Sequence, residues 1–437
     1  MRPFQITLFA VFGVLAIASV IILTTFQSKK AAQEKVYGES VIMWGTLSQD
    51  AFTPLLQDIV RTDKAFSVVE YRQFDTDTFD FELVNAIAEG RSPDLVVLSS
   101  HALTTHRSKL VPISYDNLPL RTFKDTFIDG AQIFALTEGI YGIPFAVDPL
   151  VLYWNTALLS TQGFAKAPAY WEDFAGEPNI VSALTTHDPT GRNVIQSGLA
   201  FGGFSNVVHA KQTLLMFALQ LGSKMTVAEA DRYVVALDES QVASASSPLQ
   251  KVIAFYTQFS DPRYIPTYSW NGAKKLDVDE FLSGTLSLYF GLGSEYVQLQ
   301  EKNPNLSFDI AHVPHGKNAT VYPTYGDFYA FAIPRATKNI AGAYAVANVL
   351  ASKDNMKRLS QSLHMAPARR DVIAEGDTNP YRSVILKSAL LAQGWLDPGD
   401  KKSDEIFKRL VENVVSGGSL RIADAVNDAI DSLTLAY

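Results

Sequence analysis

The chain has 437 residues, 47% of them apolar, and a formal net charge of -8. It is therefore long enough to bury two hydrophobic cores, and it lacks the surplus of Lys and Arg that nucleic-acid binding requires. It contains no cysteine, which excludes disulfides, thiolate catalysis, cysteine-type zinc sites and a lipid-modified N-terminal cysteine.

The N-terminus carries a long apolar run. Residues 4–26 contain no charged side chain, and about 20 apolar residues suffice to cross a bilayer. We predict one transmembrane helix, so that residues 1–39 form a membrane anchor and spacer. The alternative is a cleaved signal peptide, although the small residues Ala16 and Ala18 lie inside the run. Lysines after the run favour a cytoplasmic C-terminal side, but long domains translocate regardless of such charges, so we predict a single-pass anchor in the cell membrane with an extracytoplasmic C-terminal domain.

Strand and helix patterns alternate over residues 40–98. Apolar runs at 40–44, 66–71 and 94–98 predict strands, and helical spacing predicts a helix after each of the first two. This order is typical of an α/β domain with mostly parallel strands. Ligands of such sheets bind at the carboxyl ends of the strands, which makes the following residues candidate ligand contacts: Trp44, Ser48, Gln49, Ser99 and Ser100.

A crossover is predicted at residues 141–155. Ile143 and Asp148 each precede a proline and are therefore pushed toward extended geometry. The pattern predicts two strands that meet at a polar break between Asp148 and Pro149. Asp148 is a candidate acceptor for the hydroxyl groups of a ligand, or alternatively a residue that stabilises the turn.

The rest of the chain is rich in predicted helices. Amphipathic spacing predicts helices over Lys211–Leu221 and Ser247–Phe259, and again over residues 340–351. Apolar runs predict strands at 286–290 and 308–313 and a returning strand near residues 325–334. The tail predicts two amphipathic helices broken at Gly417–Gly418.

Six blocks of sequence resemble one family. They are residues 86–98, 141–174, 281–290, 325–339, 365–369 and 416–426, and they are similar, in the same order, to blocks of the extracellular solute-binding proteins of ABC importers, the maltose-binding-protein type. The resemblance implies a two-lobed periplasmic-binding-protein type II fold with hinge crossovers. It places lobe 1 at residues 40–147 and 322–368 and lobe 2 at 148–321 and 369–437. It also implies a monomer that closes about a hinge and partners the permease subunits of an ABC importer.

No intact catalytic motif is present in the sequence. We find no nucleophile elbow, zinc-protease motif or phosphate-binding loop. His312 and His315 are separated by Pro314, which favours a solvated turn over a metal site. We therefore expect no enzymatic activity, no metal site and no cofactor. Two alternatives stay open: an extracytoplasmic carbohydrate-active enzyme that uses paired carboxylates, and a solute sensor without transport.

Aromatic and polar residues near strand ends and crossovers supply the remaining candidates. Aromatic rings stack on sugar rings, and carboxylates accept hydrogen bonds from hydroxyl groups. These considerations add Trp270, Tyr289, Tyr325, Asp327, Arg369 and Asp404 to the candidate ligand residues. Sugar-binding relatives commonly carry an aromatic residue where this chain reads Gly291–Glu295. The chain therefore departs from the sugar-binding pattern at this point. The resemblance as a whole still implies a small polar solute, a sugar or oligosaccharide, while a peptide fragment stays open.

Overall fold

A computed structural model describes residues 36–176, 179–191, 193–229, 232–238, 247–417 and 421–437. The predicted membrane span lies outside these residues, and no helix within them is long and apolar enough to cross a membrane. The chain divides into two compact units, one up to Val97 together with Ile333–Ser352, and one of Leu98–Ala332 together with Lys353–Tyr437. The lobe boundaries expected from the sequence stay a prediction.

The strands described are β1 (Val41–Gly45), β2 (Val69–Gln73), β3 (Leu95–Ser99), β4 (Ala135–Leu136), β5 (Gly139–Ile140), β6 (Ile143–Asn155), β7 (Thr186–His187), β8 (Val194–Leu199), β9 (Met225–Glu229), β10 (Arg232–Ala236), β11 (Leu286–Leu292), β12 (Phe308–Ala311), β13 (Thr324–Ala332), β14 (Ala366–Pro367) and β15 (Ala392–Gln393).

The helices described are α1 (Gln49–Thr62), α2 (Phe79–Ala88), α3 (Leu103–His106), α4 (Leu120–Thr126), α5 (Thr156–Thr161), α6 (Glu172–Ala175), α7 (Ile180–Leu184), α8 (Ala210–Gln220), α9 (Pro248–Thr257), α10 (Asp277–Leu282), α11 (Tyr296–Lys302), α12 (Ile340–Leu350), α13 (Lys353–Ser362), α14 (Arg370–Ile373), α15 (Pro380–Leu391), α16 (Asp400–Gly417) and α17 (Ile422–Thr434).

The first unit is a small α/β structure. β1 pairs in parallel with β2 and with β3, so it is the central strand of the three. The helices α1, α2 and α12 belong to this unit. Ser48 caps α1 by accepting a hydrogen bond from the backbone N–H of Asp50, which satisfies one of the free amides at a helix start. The parallel pairing and the alternation of strand and helix predicted for residues 40–98 are confirmed.

The second unit is organised around β6. The first half of β6 pairs antiparallel with β13 and its second half with β11, which in turn pairs in parallel with β8. Nearly every residue of β6 is buried, as expected of a strand covered on both faces. The middle of this strand is therefore a point at which several elements meet, and it positions the site described below.

The prediction of two strands meeting at Asp148–Pro149 is wrong, because β6 is one continuous strand of 13 residues. Proline cannot donate a ladder hydrogen bond, yet it holds the residue before it extended. Pro149 lies opposite Gly326, and Asp148 lies opposite Asp327, so pairing with β13 continues through the dipeptide. The proline thus removes a single ladder hydrogen-bond donor without ending the strand.

Candidate functional site

Two carboxylates face each other at the middle of β6 and β13. Asp148 and Asp327 occupy directly opposed positions of the antiparallel pair, where Cβ atoms lie about 5 Å apart. Asp148 is 1% exposed and Asp327 is 6% exposed. Like charges opposed in this way repel each other and cannot be screened by water, so each carboxylate needs its own compensation.

Asp327 is compensated by a histidine. His101 follows β3, and its Nε2 lies 2.5 Å from Asp327 Oδ1. Burial alone would lower the pKa of His101, but the Asp327 carboxylate outweighs burial and raises that pKa to about 10. Burial likewise raises the pKa of Asp327, and the charge of His101 brings it below its ordinary value. The two side chains therefore form a buried ion pair at neutral pH.

A buried lysine binds three further carboxylates. Lys211, at the start of α8, is 2% exposed. Its Nζ lies 3.2 Å from Asp397 Oδ2, 2.5 Å from Asp400 Oδ1 and 2.8 Å from Asp404 Oδ1, and it donates to Ser403 Oγ at 3.1 Å. Burial lowers the pKa of Lys211, but these carboxylates raise it above its ordinary value. We call these five residues together with His101 and Asp327 the charge network.

The charge network contains a trio with the spacing of metal ligands. One ligand atom each of His101, Asp397 and Asp400 lie within 4.8 Å of one another. The ammonium of Lys211, however, contacts both carboxylates of this trio. Because this ammonium contacts the same oxygens that would bind a metal ion and would repel such an ion, the spacing of the trio alone is no evidence for a metal site.

A second histidine–carboxylate pair lies at the end of β11. His209 Nε2 is 2.5 Å from Glu295 Oε1, and the hydroxyl of Tyr289 donates to Glu295 Oε2 at 2.5 Å. Burial lowers the pKa of His209, but the charge of Glu295 outweighs it and raises that pKa to about 9. Burial raises the pKa of Glu295, and His209 reverses the effect. Glu295 is therefore a compensated anion.

Asp148 differs from these carboxylates in its partners. Its oxygens accept hydrogen bonds from the backbone N–H of Ser294 at 2.9 Å and from Ser294 Oγ at 2.5 Å, and no basic side chain in the described part of the chain forms an ion pair with it. Burial raises the pKa of Asp148 to about 7; the Ser294 hydrogen bonds oppose this shift, and the charges of Asp327 and Glu295 add to it. Asp148 is a buried carboxylate without a counter-ion.

A cavity of about 350 Å³ lies beside Asp148. This volume is near the lower limit for small-molecule sites. A larger cavity, of about 500 Å³, lies near α9 and α16, but none of the predicted ligand residues lines it. The cavity beside Asp148 is the better candidate because buried charge converges on it. Its lining residues are Asp148, Val208, Val278, Tyr289, Leu292, Ser294, Glu295, Gln298, Leu299, Lys302, Tyr329 and Met365.

The structure brings together about half of the predicted ligand residues. Asp148 and Tyr289 line the cavity, and Asp327 and Asp404 belong to the charge network. Tyr325 is fully buried, with its ring centroid 6.2 Å from that of His101. Ser99 ends β3 beside Ser100, whose Oγ accepts a hydrogen bond from the backbone N–H of Phe328.

Other predicted ligand residues lie elsewhere. Trp270 is fully buried, and its indole N–H donates to Asn206; its role as a ligand residue stays a prediction. Arg369 pairs with Asp371 and lines neither the cavity nor the network.

Three predicted ligand residues belong to the first unit. The ring of Trp44 lies 4.4 Å from that of Phe74, measured between centroids, and is tilted against it by 38°. Ser48 is a helix cap, and the backbone N–H of Gln49 donates to Gln73.

None of the three basic residues that pair with carboxylates at the site was among the predicted ligand residues. Lys211 lies on a helix whose surroundings are apolar, and a lysine on a buried helix face is a signal that could have been noticed. His101 and His209 gave no comparable signal, because their partners Asp327 and Glu295 are distant in sequence. The residues missed are His101, His209, Lys211, Ser294, Glu295, Asp397, Asp400 and Ser403.

Known proteins share this fold. A binding protein of Brucella abortus (strain 2308) is 20% identical over 361 residues, covering 80% of this chain and 82% of its own length. A cyclo/maltodextrin-binding protein complexed with maltotetraose superposes with a TM-score of 0.70 at 15% identity, over 90% of this chain and 96% of that one. An ABC transporter solute-binding protein of Thermotoga lettingae, bound with α-D-tagatose, gives a TM-score of 0.64 at 18% identity, over 91% of this chain and 100% of that one.

The family itself is identified by sequence. The model of the bacterial extracellular solute-binding protein family matches residues 62–382, which is well over half of the chain and includes β6, β11 and β13. The resemblance noted from the six sequence blocks is thereby confirmed. This chain belongs to the family of bacterial extracellular solute-binding proteins.

Proposed function

We propose that this protein captures a small polar solute, a sugar or oligosaccharide, outside the cytoplasm and delivers it to the permease subunits of an ABC importer. The observation that carries the proposal is the cavity of about 350 Å³ lined by Asp148 and Tyr289, two residues expected to contact a ligand. Family membership and the ligands named for the similar structures, maltotetraose and α-D-tagatose, support the assignment.

The mechanism we propose is closure about a hinge. Lobe 1 would comprise residues 40–147 and 322–368, and lobe 2 residues 148–321 and 369–437. The boundary then falls within β6, between Val147 and Asp148, so that this strand connects the lobes. A solute can favour the closed state only by binding it more tightly than the open state. The buried position of Asp148 supports this role, because it suits contacts that form only when water is excluded.

We further propose that residues 4–26 tether the protein to the membrane as a single-pass anchor with the binding domain outside the cytoplasm. A tethered receptor stays beside its permease, which raises the effective concentration of the two partners. We expect the protein to act as a monomer, without cofactor or metal, and to bind its solute without chemical change.

The test is a binding survey of the full chain in lipid nanodiscs. Native mass spectrometry detects a co-purified solute, and thermal-shift measurement against a carbohydrate panel detects stabilisation. We expect at least one saccharide to raise the melting temperature in a saturable way. Failure of every saccharide to do so contradicts the sugar assignment while leaving family membership intact.

Closure is tested on the same sample. A pair of spin labels at exposed positions of the two proposed lobes, such as Asp116 and Lys251, should give a shorter distance when a stabilising saccharide is present. An unchanged distance distribution contradicts hinge closure.

A further inference from the structure

We propose that the solute carries a positively charged amine, and that Asp148 binds this amine in the cavity beside it. The inference rests on the proposed function, since it concerns the ligand of the same site. It narrows the solute class to molecules that carry an amine, and amino sugars are the class that satisfies both proposals.

The other carboxylates buried at this site have basic partners within the chain. Asp327 has His101, Glu295 has His209, and Asp397 has Lys211 as basic partners. Asp148 is as deeply buried as these residues, yet it has only the backbone N–H and hydroxyl of Ser294. Buried carboxylates in proteins are almost always paired with a cation. Among the described residues, Asp148 is therefore the carboxylate on the cavity wall that lacks a basic partner, and a solute can supply one.

Another buried carboxylate provides a useful contrast. Asp277 is also 1% exposed and also lacks an ion pair among the described residues. It lies at the start of α10, where its Oδ1 accepts from the backbone N–H groups of Val208 and Val278, and the positive charge of His209 acts on it. Asp277 does not line the cavity. Burial still raises the pKa of Asp277 to about 6, so its position outside the cavity, rather than better compensation, sets it apart from Asp148.

The cavity suits an ammonium group in three ways. Asp148 and Glu295 place two carboxylates on its wall, and Tyr289 and Tyr329 add two aromatic rings. Aromatic faces attract cations, most strongly where water is excluded. The volume of about 350 Å³ admits a small solute. The lining includes one basic residue, Lys302, whose side chain is exposed on α11.

A neutral sugar would leave the charge of Asp148 unmet. The hydroxyl groups of a sugar can donate to a carboxylate, but they bring no positive charge to Asp148, which shares the cavity wall with Glu295 and lies opposite Asp327. The alternative is that Asp148 itself is protonated. A neutral solute could then bind without removing this proton, so Asp148 would stay neutral in the complex. The two cases differ in a measurable way, because an ammonium requires the ionised carboxylate and a neutral sugar does not.

The experiment uses isothermal titration calorimetry on the full chain in nanodiscs at neutral pH. The probes are the β-1,4-linked trimer of glucosamine; its N-acetylated counterpart, in which each amine is replaced by a neutral and bulkier acetamide; maltotriose, a neutral trisaccharide without acetyl groups; and spermidine. We expect the glucosamine trimer to bind at least about tenfold more tightly than the N-acetylated trimer, since hydrogen bonds to a charged group contribute on this scale.

Two variants with opposite expected effects locate the site. Asp148→Asn keeps the shape of the side chain but removes its charge, so it should weaken binding of the glucosamine trimer by about tenfold or more and leave the N-acetylated trimer little changed. Lys302→Gln removes a repelling charge from the lining, so it should strengthen binding of the glucosamine trimer by about twofold. If Asp148→Asn does not fold, two results still test whether the solute carries an amine: the difference in affinity between the two trimers, and the change in affinity for the glucosamine trimer in Lys302→Gln.

The outcomes separate this inference from the proposed function. Equal binding of the two trimers, or an unchanged affinity in Asp148→Asn, overturns the inference while leaving a sugar-binding protein. Spermidine binding that depends on Asp148, with no binding of any saccharide, supports the amine and rejects the sugar. If neither the glucosamine trimer nor spermidine binds, the amine inference is rejected, and the sugar assignment is decided by the carbohydrate panel alone.

Discussion

Asp148 and Asp327 lie opposite each other on neighbouring strands, but the fold treats them differently. Asp327 belongs to a network in which His101 and Lys211 supply positive charge within the chain. Asp148 borders a cavity, and its pKa is raised to about 7 because burial acts on it without a compensating base. The charge network has the ion pairs expected of a structural region. The cavity, in contrast, contains a buried carboxylate without a basic partner among the described residues, and groups with perturbed pKa values of this kind are common at functional sites.

The charge network and the cavity should therefore contribute differently to stability and to binding. Removing a basic partner from the network should strand buried carboxylates and destabilise the fold. Removing the charge of Asp148 should relieve an unfavourable burial and stabilise it. Changes in unfolding free energy of opposite sign, one from a variant of the charge network and one from a variant of Asp148, would distinguish a structural region from a binding region, although Asp148 and Asp327 are only about 5 Å apart.

The largest effect is expected from Lys211→Met. The substitution leaves Asp397, Asp400 and Asp404 without their shared cation, which should lower the free energy of unfolding by about 3–5 kcal/mol. Urea denaturation followed by circular dichroism measures the loss. Lys408→Met is the matched control, because its pair with Glu412 spans 4.0 Å between half-exposed side chains and should contribute below about 1 kcal/mol. Equal losses in the two variants would contradict a structural role for the network.

Asp148→Asn should stabilise the protein in a pH-dependent way. The folded-state pKa of Asp148 is about 7, against an ordinary value of 3.8. Between these pH values the unfolded chain releases the proton and the folded chain keeps it, so the wild-type protein loses stability as pH rises from about 4 to about 7. The variant lacks this loss and should gain up to about 4 kcal/mol above pH 7. The charges facing this group are Asp327 on β13 and Glu295 after β11.

Unfolding curves at about pH 5 and about pH 8 measure the difference. Asp354→Asn, at an exposed position of α13, serves as the control and should show no comparable change between the two pH values. A variant Asp148→Asn that is destabilised equally at both would break the comparison, since it would mean that Asp148 is as well compensated as Asp327.

A smaller effect is expected from Tyr289→Phe. The hydroxyl of Tyr289 donates to Glu295 and is buried, so its removal should cost about 2 kcal/mol of unfolding free energy. Tyr264→Phe is the control, because Tyr264 is 55% exposed. Because Tyr289 also lines the cavity, its variant should weaken solute binding as well, and a change in stability alone would move Tyr289 from the binding region to the structural one.

The smallest effect is expected from Arg369→Ala. Arg369 pairs with Asp371, whose side chain is 45% exposed, so the loss should stay below about 1 kcal/mol. Solute affinity, measured by calorimetry, should be unchanged. A marked loss of affinity would restore Arg369 as a ligand residue and would extend the binding region beyond the cavity.

Much of the fold followed from local pattern. The strands β1 and β3, the helices α8 and α9 and the return through β13 were all predicted from apolar periodicity, because a strand or helix that packs on a core must repeat its apolar residues at its own period. The break at Asp148–Pro149 was mispredicted because local rules treat proline as a boundary, whereas pairing with β13 keeps the strand continuous.

The candidate site was less accessible to such reasoning. Asp148 was identified at a predicted crossover, Tyr289 and Asp327 on predicted strands, and Asp404 at a predicted helix start, but their partners were not identified. The pairs His101–Asp327 and Lys211–Asp397 join residues 226 and 186 positions apart, and no periodicity connects residues at that separation.

The sequence by itself determined the family, the strand and helix order and the absence of cysteine chemistry, since these depend on composition and on neighbours along the chain. Only the tertiary structure decided which carboxylates are paired. Burial makes an ionised group depend on whatever lies within a few ångströms of it, and in this protein those neighbours come from β3, α8, β13 and the segment leading into α16. That dependence is why Asp327 is compensated and Asp148 is not.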